Sequence, residues 1–193
     1  MSNHDHDHEH EHEHDEDAER AAESEVRKRI ALSQVRQYGD LVLRMRASEV
    51  VEFDEELAQL VERMTGLMHD AHGVGLAATQ VGVVRRVFVF EHDGEDLVLA
   101  NPTITRLGKE LEVDDEGCLS LPGITVPVER AEKCVCEALN LKGAPVRIEA
   151  EGLLARLLQH ETDHLDGVLI IDRATPDERR AAMRRYREAN EEL

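Results

Sequence analysis

The sequence is poor in aromatic residues and contains no long apolar run. Only 3% of its 193 residues are aromatic, but 41% are hydrophobic, which is enough for one domain with a buried core. No stretch approaches the roughly 18 consecutive apolar residues that a membrane span requires, so we expect no membrane association. The acidic, polar N-terminus also lacks the apolar stretch of a secretory signal. The sequence therefore predicts a soluble, cytoplasmic protein.

Cysteines are also few. Cys118, Cys134 and Cys136 are an odd number without the spacing of a disulfide framework, and we expect reduced thiols. Cys134 and Cys136 alternate along a valine-containing segment, which favours a role as small core residues. Cys118 lies in DDEGCLSLPG, where Gly117 and the LPG turn indicate an irregular, exposed backbone.

Positive charge is scarce, because 23 Lys and Arg face 42 Asp and Glu for a formal charge of −19. This balance argues against a nucleic-acid-binding surface, and we expect no sequence-specific nucleic-acid binding. From His4 to His14, six histidines alternate with carboxylates. We predict that residues 1–21 form a disordered acidic tail, which either binds divalent metals loosely or is merely solvated, and that residues 22–193 form one domain.

Hydrophobic spacing divides the remaining sequence into helices and strands. Apolar residues recur in steps of three and four from Phe53 to Ala71, which predicts an amphipathic helix that ends before Gly73. Similar spacing predicts helices within 152–167 and from Pro176 onwards. Short strands are predicted within 83–91, 96–104, 110–115, 124–129, 133–141 and 145–152. This order favours an α+β fold over alternating βαβ units.

The segment QHETDHLDG carries the sharpest chemical signal. His160 and His164 are four residues apart, so on a helix they lie on one face and can bind one divalent ion. Glu161 lies close enough to contact a coordinated water without being a ligand. This arrangement is typical of H-E-x-x-H hydrolases, in which the two histidines bind the metal and the glutamate moves protons. Several leucines surround these residues, and burial among leucines is costly unless polar groups are paired or metal-bound. A third ligand is needed, and spacing alone does not choose among the other histidines, cysteines and carboxylates.

Three blocks of the sequence together resemble the peptide deformylase family. They are GVGLAATQ (73–80), EGCLS (116–120) and QHETDHL (159–165), in the family's order, and the resemblance covers roughly residues 30–175. It implies removal of the formyl group from the N-terminal formyl-methionine of new polypeptides, with release of formate. It also implies antiparallel sheets packed around a central helix that carries the H-E-x-x-H motif, with an N-terminal and a C-terminal helix.

The resemblance assigns roles to the motif residues. Cys118 becomes the third metal ligand beside His160 and His164, with Fe²⁺ as the expected ion and Zn²⁺, Ni²⁺ or Co²⁺ as alternatives. Glu161 moves protons between water and the leaving amine, while Gln80 and the Leu119 backbone N–H donate to the oxyanion. The expected substrate-binding residues are Gly73, Val74, Gly75, Leu76, Glu116, Gly117, Leu153 and Leu157. An ion pair between Glu116 and Arg130 is expected to brace the cysteine loop.

Two features depart from the family pattern or extend it. Arg156 occupies a position that is commonly aliphatic, and it either approaches the pocket rim or extends its charged end to solvent. The C-terminal helix is rich in arginine, which is compatible either with docking at the ribosome or with a solvated helix. Two other functions stay open as alternatives. One is an H-E-x-x-H metallopeptidase that cuts internal bonds, and the other is a non-catalytic metal-binding protein.

Overall fold

Two antiparallel sheets pack around a helix that spans Gly152–Leu165 in a computed structural model. The structure describes the backbone of residues 7–191 and the side chains of residues 19–189. The five-stranded sheet has the order β1-β2-β3-β6-β7, and the second sheet pairs β4 with β5. The strands are β1 Gly75–Ala77, β2 Val87–His92, β3 Glu95–Leu107, β4 Leu111–Gly117, β5 Thr125–Ala131, β6 Lys133–Leu139 and β7 Pro145–Glu151.

Five α-helices surround these sheets in the described chain. They are α1 Asp7–Gln34, α2 Glu55–Asp70, α3 Gly152–Leu165, α4 Ile170–Arg173 and α5 Pro176–Glu191. Two 3₁₀ turns span Leu41–Arg44 and Ala78–Val81, and the second includes the last three residues of GVGLAATQ. The predicted α+β fold is confirmed, with antiparallel sheets, a motif-bearing helix and helices at both ends. Among the described residues, no helix is both long and apolar enough to cross a membrane.

Strand β2 explains how the large sheet separates two parts of the core. Because side chains alternate across a strand, VFVF places Val87 and Val89 on one face and Phe88 and Phe90 on the other. All four are buried. The valines pack in the cluster that contains the apolar face of α2, and the phenylalanines pack in the cluster that contains α3. The apolar residues of α3 therefore pack against the sheet, and the same helix also carries His160, Glu161 and His164.

Helix α1 differs from the sequence prediction in its extent. It begins at Asp7, so residues 7–21 of the predicted disordered tail are described as helix, and α1 crosses the predicted domain boundary at residue 22 without a break. Alanine and glutamate are good helix formers, and a helix satisfies its own backbone hydrogen bonds without an apolar core. Residues 1–6 lie outside the described residues. The division into a tail and a domain therefore stays a prediction.

Candidate active site

Helix α3 places two histidines and one glutamate at the centre of the fold. His164 is 1% exposed, Glu161 is 3% exposed and His160 is half-buried. The Nε2 atoms of the two histidines lie 3.2 Å apart, which follows from their i, i+4 spacing on one helical face. Hydrogen bonds from the backbone and from Thr79 Oγ1 to the His164 carbonyl hold the C-terminal end of α3 in place.

The loop after β4 brings Cys118 to the same point. Cys118 Sγ lies 3.3 Å from His164 Nε2, and the ligand atoms of Cys118, His160 and His164 all lie within 4.8 Å of one another. The Leu121 N–H donates to the Cys118 carbonyl, and the Tyr38 N–H donates to the Ser120 carbonyl. These two bonds fix the segment from Cys118 to Leu121.

These three side chains have the geometry and the chemistry of a metal site. A tetrahedral ion with bonds of about 2.0–2.1 Å to nitrogen places two ligand nitrogens about 3.3 Å apart, close to the separation of His160 and His164. Imidazole nitrogen and thiolate sulfur are also typical ligands of such an ion. Cys118, His160 and His164 therefore fit a divalent transition metal, and three protein ligands leave one position for water.

The neighbouring groups favour the thiolate form of Cys118. Although burial alone would raise it, His164 and His160 lower the pKa of the Cys118 thiol to about 5. Conversely, the pKa of His160 is raised despite its burial, because Cys118 and Glu116 stabilise the protonated ring. Since the thiolate is the form that binds metals, this environment prepares Cys118 to act as a ligand.

A buried carboxylate fixes the orientation of His160. Glu116 Oε2 lies 2.9 Å from His160 Nδ1, which directs Nε2 towards Cys118. Arg130 donates two hydrogen bonds of 2.9 Å to the same carboxylate, as the family resemblance implied for this pair. Although burial opposes it, the contacts with Arg130 and His160 hold the pKa of Glu116 well below its usual range. Glu116 is therefore ionised and braces the histidine.

Arg156 joins this cluster, which the sequence did not predict. Its guanidinium is buried and donates to Glu116 Oε1 at 2.9 Å, to the Val128 carbonyl at 2.9 Å and to the Glu112 carbonyl at 3.0 Å. Arg156 also lines the cavity that opens beside Cys118 and His160. It therefore approaches the substrate pocket, which is one of the two positions expected from the sequence. The expected solvent-directed arginine is not what the structure shows, because the side chain instead satisfies buried acceptors.

Glu161 is the remaining acid in the centre. Its Oε2 has no hydrogen-bond partner among the described residues, and burial raises the pKa of its carboxyl against the lowering effect of both histidines. A Cβ on Gly75 would overlap the Glu161 carboxylate, so only glycine allows β1 to approach this closely. A buried acid with a raised pKa and a free oxygen can accept and return a proton.

Two hydrogen-bond donors lie near the thiol. The buried Gln80 Oε1 accepts from the Ala77 N–H at 2.9 Å, which directs Nε2 towards Ser120 Oγ at 3.2 Å and Cys118 Sγ at 3.6 Å. The contact with Ser120 was not predicted. The Leu119 N–H has no acceptor among the described residues, and it follows Cys118 directly in the chain. Both donors therefore belong to residues that lie beside Cys118.

A cavity of about 560 Å³ opens onto these groups. Val74 and Leu153 are exposed at its wall, and Leu157 is buried beneath it. Leu76 is fully buried in the core and is not among the lining residues, so the structure does not bring its side chain to the cavity. The other predicted substrate-binding residues line the cavity, namely Gly73, Gly75, Glu116 and Gly117. Lys28 and Leu32 of α1 also line it, which sequence reasoning missed.

Comparison with known proteins places this site in a family. Residues 32–180 match the model of the polypeptide deformylase family. The chain is 51% identical over 160 residues to a peptide deformylase of Acidothermus cellulolyticus, which covers 83% of this chain and 88% of that protein. It is 47% identical over 146 residues to a peptide deformylase of Thermotoga maritima, with 76% and 89% of the two chains covered.

Solved structures agree with this result. A peptide deformylase from Synechococcus elongatus in complex with actinonin superposes with a TM-score of 0.76 at 42% identity, covering 79% of this chain and 84% of that one. The Thermotoga maritima peptide deformylase gives a TM-score of 0.72 at 47% identity, covering 74% and 97%. From its matched length, its close relatives and its structural neighbours, we conclude that the chain belongs to the polypeptide deformylase family.

Proposed function

We propose that this protein hydrolyses the N-formyl group from the formyl-methionine of newly synthesised polypeptides and releases formate. The observation that carries the proposal is the arrangement at the cavity floor. Among the described residues, buried Glu161 has a carboxylate oxygen without a hydrogen-bond partner, and the ligand atoms of Cys118, His160 and His164 converge at the same site. The membership of the polypeptide deformylase family supports the same reaction.

Cys118, His160 and His164 are the proposed ligands of one divalent ion. When bound there, the ion would act as a Lewis acid and lower the pKa of water from about 15.7 towards about 7. We expect Fe²⁺, with Zn²⁺, Ni²⁺ or Co²⁺ as alternatives, because a thiolate and two imidazoles suit all of these ions. Glu116 keeps the His160 ring in place through its contact with Nδ1.

Glu161 is the proposed general base and acid. It takes a proton from the water that attacks the formyl carbon. The bond between the formyl carbon and the methionine nitrogen then breaks. Glu161 delivers the proton to the departing amine, so the products are formate and a peptide with a free N-terminus.

Gln80 and Leu119 are the proposed donors to the negative charge that develops on the formyl oxygen. The Gln80 amide is held by the Ala77 N–H and so is already oriented before substrate binds. A donor that does not have to reorganise stabilises the transition state more than one that does. Loss of one such donor typically costs about 10²–10³ in rate.

The peptide is proposed to bind along β1. In the described chain β1 lies at the edge of the five-stranded sheet and pairs with β2 alone, so its other edge is the proposed site for an added substrate strand. Gly73 and Gly75 let the backbone approach the substrate closely, and the apolar wall at Leu153 and Leu157 suits a methionine side chain.

Formyl-Met-Ala-Ser incubated anaerobically with Fe²⁺-loaded protein tests this function. We expect formate and a single new peptide that has lost only its formyl group. Cleavage between methionine and alanine would instead support the metallopeptidase alternative. A fully metallated protein that releases no formate would refute the proposal.

Docking at the ribosome is a separate proposal for α5. This helix carries exposed arginines that could contact RNA phosphates, although Arg179 and Arg180 already pair with Asp172 and Asp177. Co-sedimentation with ribosomes, compared between wild type and an Arg184→Glu, Arg187→Glu variant, is the test. We expect the variant to lose binding, and equal binding by both proteins would refute this role.

A further inference from the structure

Helix α1 forms part of the wall of the catalytic cavity. Lys28 and Leu32 line the same space as Cys118 and Glu161. The match to the family model begins at residue 32, so the turn of α1 that carries Lys28 lies outside the matched region. This part of the wall therefore comes from residues that the family match does not include.

The inner face of α1 is fixed in position next to the groove. Ser24, Lys28 and Leu32 are spaced four residues apart and so share one face of the helix. Ser24 Oγ lies 3.0 Å from His72 Nε2, and Leu32 packs against the core cluster that contains α2. His72 has a φ of 56°, and it directly precedes Gly73 at the groove. Contacts one turn before and one turn after Lys28 thus hold its backbone at the groove wall.

The charge of Lys28 has no partner in the part of the chain that the structure describes. Its side chain is half-buried, and no described residue forms a hydrogen bond or an ion pair with it. The other strongly basic residue at the cavity, Arg156, is already bonded to Glu116. Asp115 also lines the cavity and is exposed. Lys28 is therefore a cation that a bound molecule could neutralise.

We propose that α1 adds a subsite to the groove that favours an acidic side chain in the residues that follow the formyl-methionine. The inference rests on the proposed function, because it assumes that the formyl group reacts beside Glu161. The remaining peptide must then leave along the open edge near Gly73 and Gly75, directly after His72. Its following side chains pass the wall that α1 supplies, where a carboxylate would meet the ammonium of Lys28. Such a subsite would make the enzyme select among formylated peptides by charge.

Peptides that differ only in charge test the subsite. The substrates are formyl-Met-Ala-Glu, formyl-Met-Ala-Gln and formyl-Met-Ala-Lys, with a matching set varied at the second residue. All are amidated at the C-terminus, so that the side chain supplies the only carboxylate. kcat/KM for formate release is measured at low ionic strength with metal-loaded protein. For the wild type we expect Glu to be favoured over Gln by about two- to fivefold at one of the two positions, and the preference to shrink as salt is added.

Two variants of α1 separate a local contact from the overall charge. Lys28→Glu should reverse the preference, so that Lys is favoured over Gln. Arg29→Glu makes the same change in net charge on the next residue, which is exposed and does not line the cavity. It should keep the wild-type preference, and circular dichroism should show the same helix content in both variants.

Each result bears directly on the proposal. Equal kcat/KM for Glu and Gln at both positions, in a wild type that deformylates every peptide, would overturn the subsite and leave the proposed function intact. An equal effect of Arg29→Glu and Lys28→Glu would also overturn it, because long-range charge would then explain the preference. No formate from any peptide would overturn the proposed function together with the subsite.

Discussion

Replacing Arg156 with methionine should destabilise the protein strongly, because it removes a buried cation that serves three acceptors. Arg156 is 7% exposed, and the variant would leave the Val128 and Glu112 carbonyls without this donor. Removal of one partner from a buried ion pair typically costs about 3–5 kcal/mol. Because Arg130 still holds the Glu116 carboxylate with two bonds, we expect the lower end, about 3 kcal/mol.

Urea unfolding followed by circular dichroism measures this loss. Metal must be present at the same excess for every protein, because a bound ion stabilises the folded state. In thermal unfolding, the same loss of about 3 kcal/mol would lower the Tm by about 6–12 °C in a chain of this length. Arg147→Met is the matched control, since Arg147 is half-exposed and pairs with Glu149 on the surface, where such pairs contribute about 0–1 kcal/mol. If Arg156→Met were as stable as this control, the inferred role of the buried guanidinium would be wrong.

Three further predictions concern the carboxylate that supports His160, the close approach of β1 to Glu161, and the stability of the fold in acid. Glu116→Gln should weaken metal binding by about 10–100-fold, measured by chelator competition, because the support of His160 is reduced; unchanged affinity would contradict this. Gly75→Ala should lower kcat for formate release while the metal content stays at the wild-type level, because the added methyl group displaces the Glu161 carboxylate. Although partial burial opposes it, Arg44 lowers the pKa of Asp172, so this carboxylate stabilises the fold at neutral pH and that contribution is lost as the pH falls through its folded pKa. Asp172→Asn should therefore be less stable than wild type at pH 7, with a difference that shrinks in acid; a difference that stayed constant with pH would count against this pair.

The metal-binding helix could be predicted from the sequence because its information is local. His160, Glu161 and His164 lie within five residues, and helical spacing alone puts them on one face. Strands β2 to β7 were also predictable, because β-branched segments alternate with turn residues along this part of the chain, whereas β1 was not predicted. Cys118 needed the family resemblance, since the thiol reaches the helix only through the pairing of β4 with β5.

The parts that sequence reasoning missed depend on contacts between distant residues. Arg156 has the spacing of a surface arginine, and only the arrival of Glu116 from 40 residues away makes its burial favourable. The contribution of α1 to the cavity was missed for the same reason, because nothing within the helix indicates which element it packs against. A stripe of residues four apart, such as Ser24, Lys28 and Leu32, shows that a face exists but not what that face contacts.

The most direct test of the central claim compares Glu161→Gln with wild type for two quantities, bound metal and formate release. The substitution keeps the size of the side chain and removes its ability to accept and return a proton. We predict one tightly bound ion in both proteins, with formate release from formyl-Met-Ala-Ser lower by about 10²–10⁴-fold in the variant. Formate release at the wild-type rate would contradict the role of Glu161, and loss of the ion from the variant would contradict its place outside the ligand set.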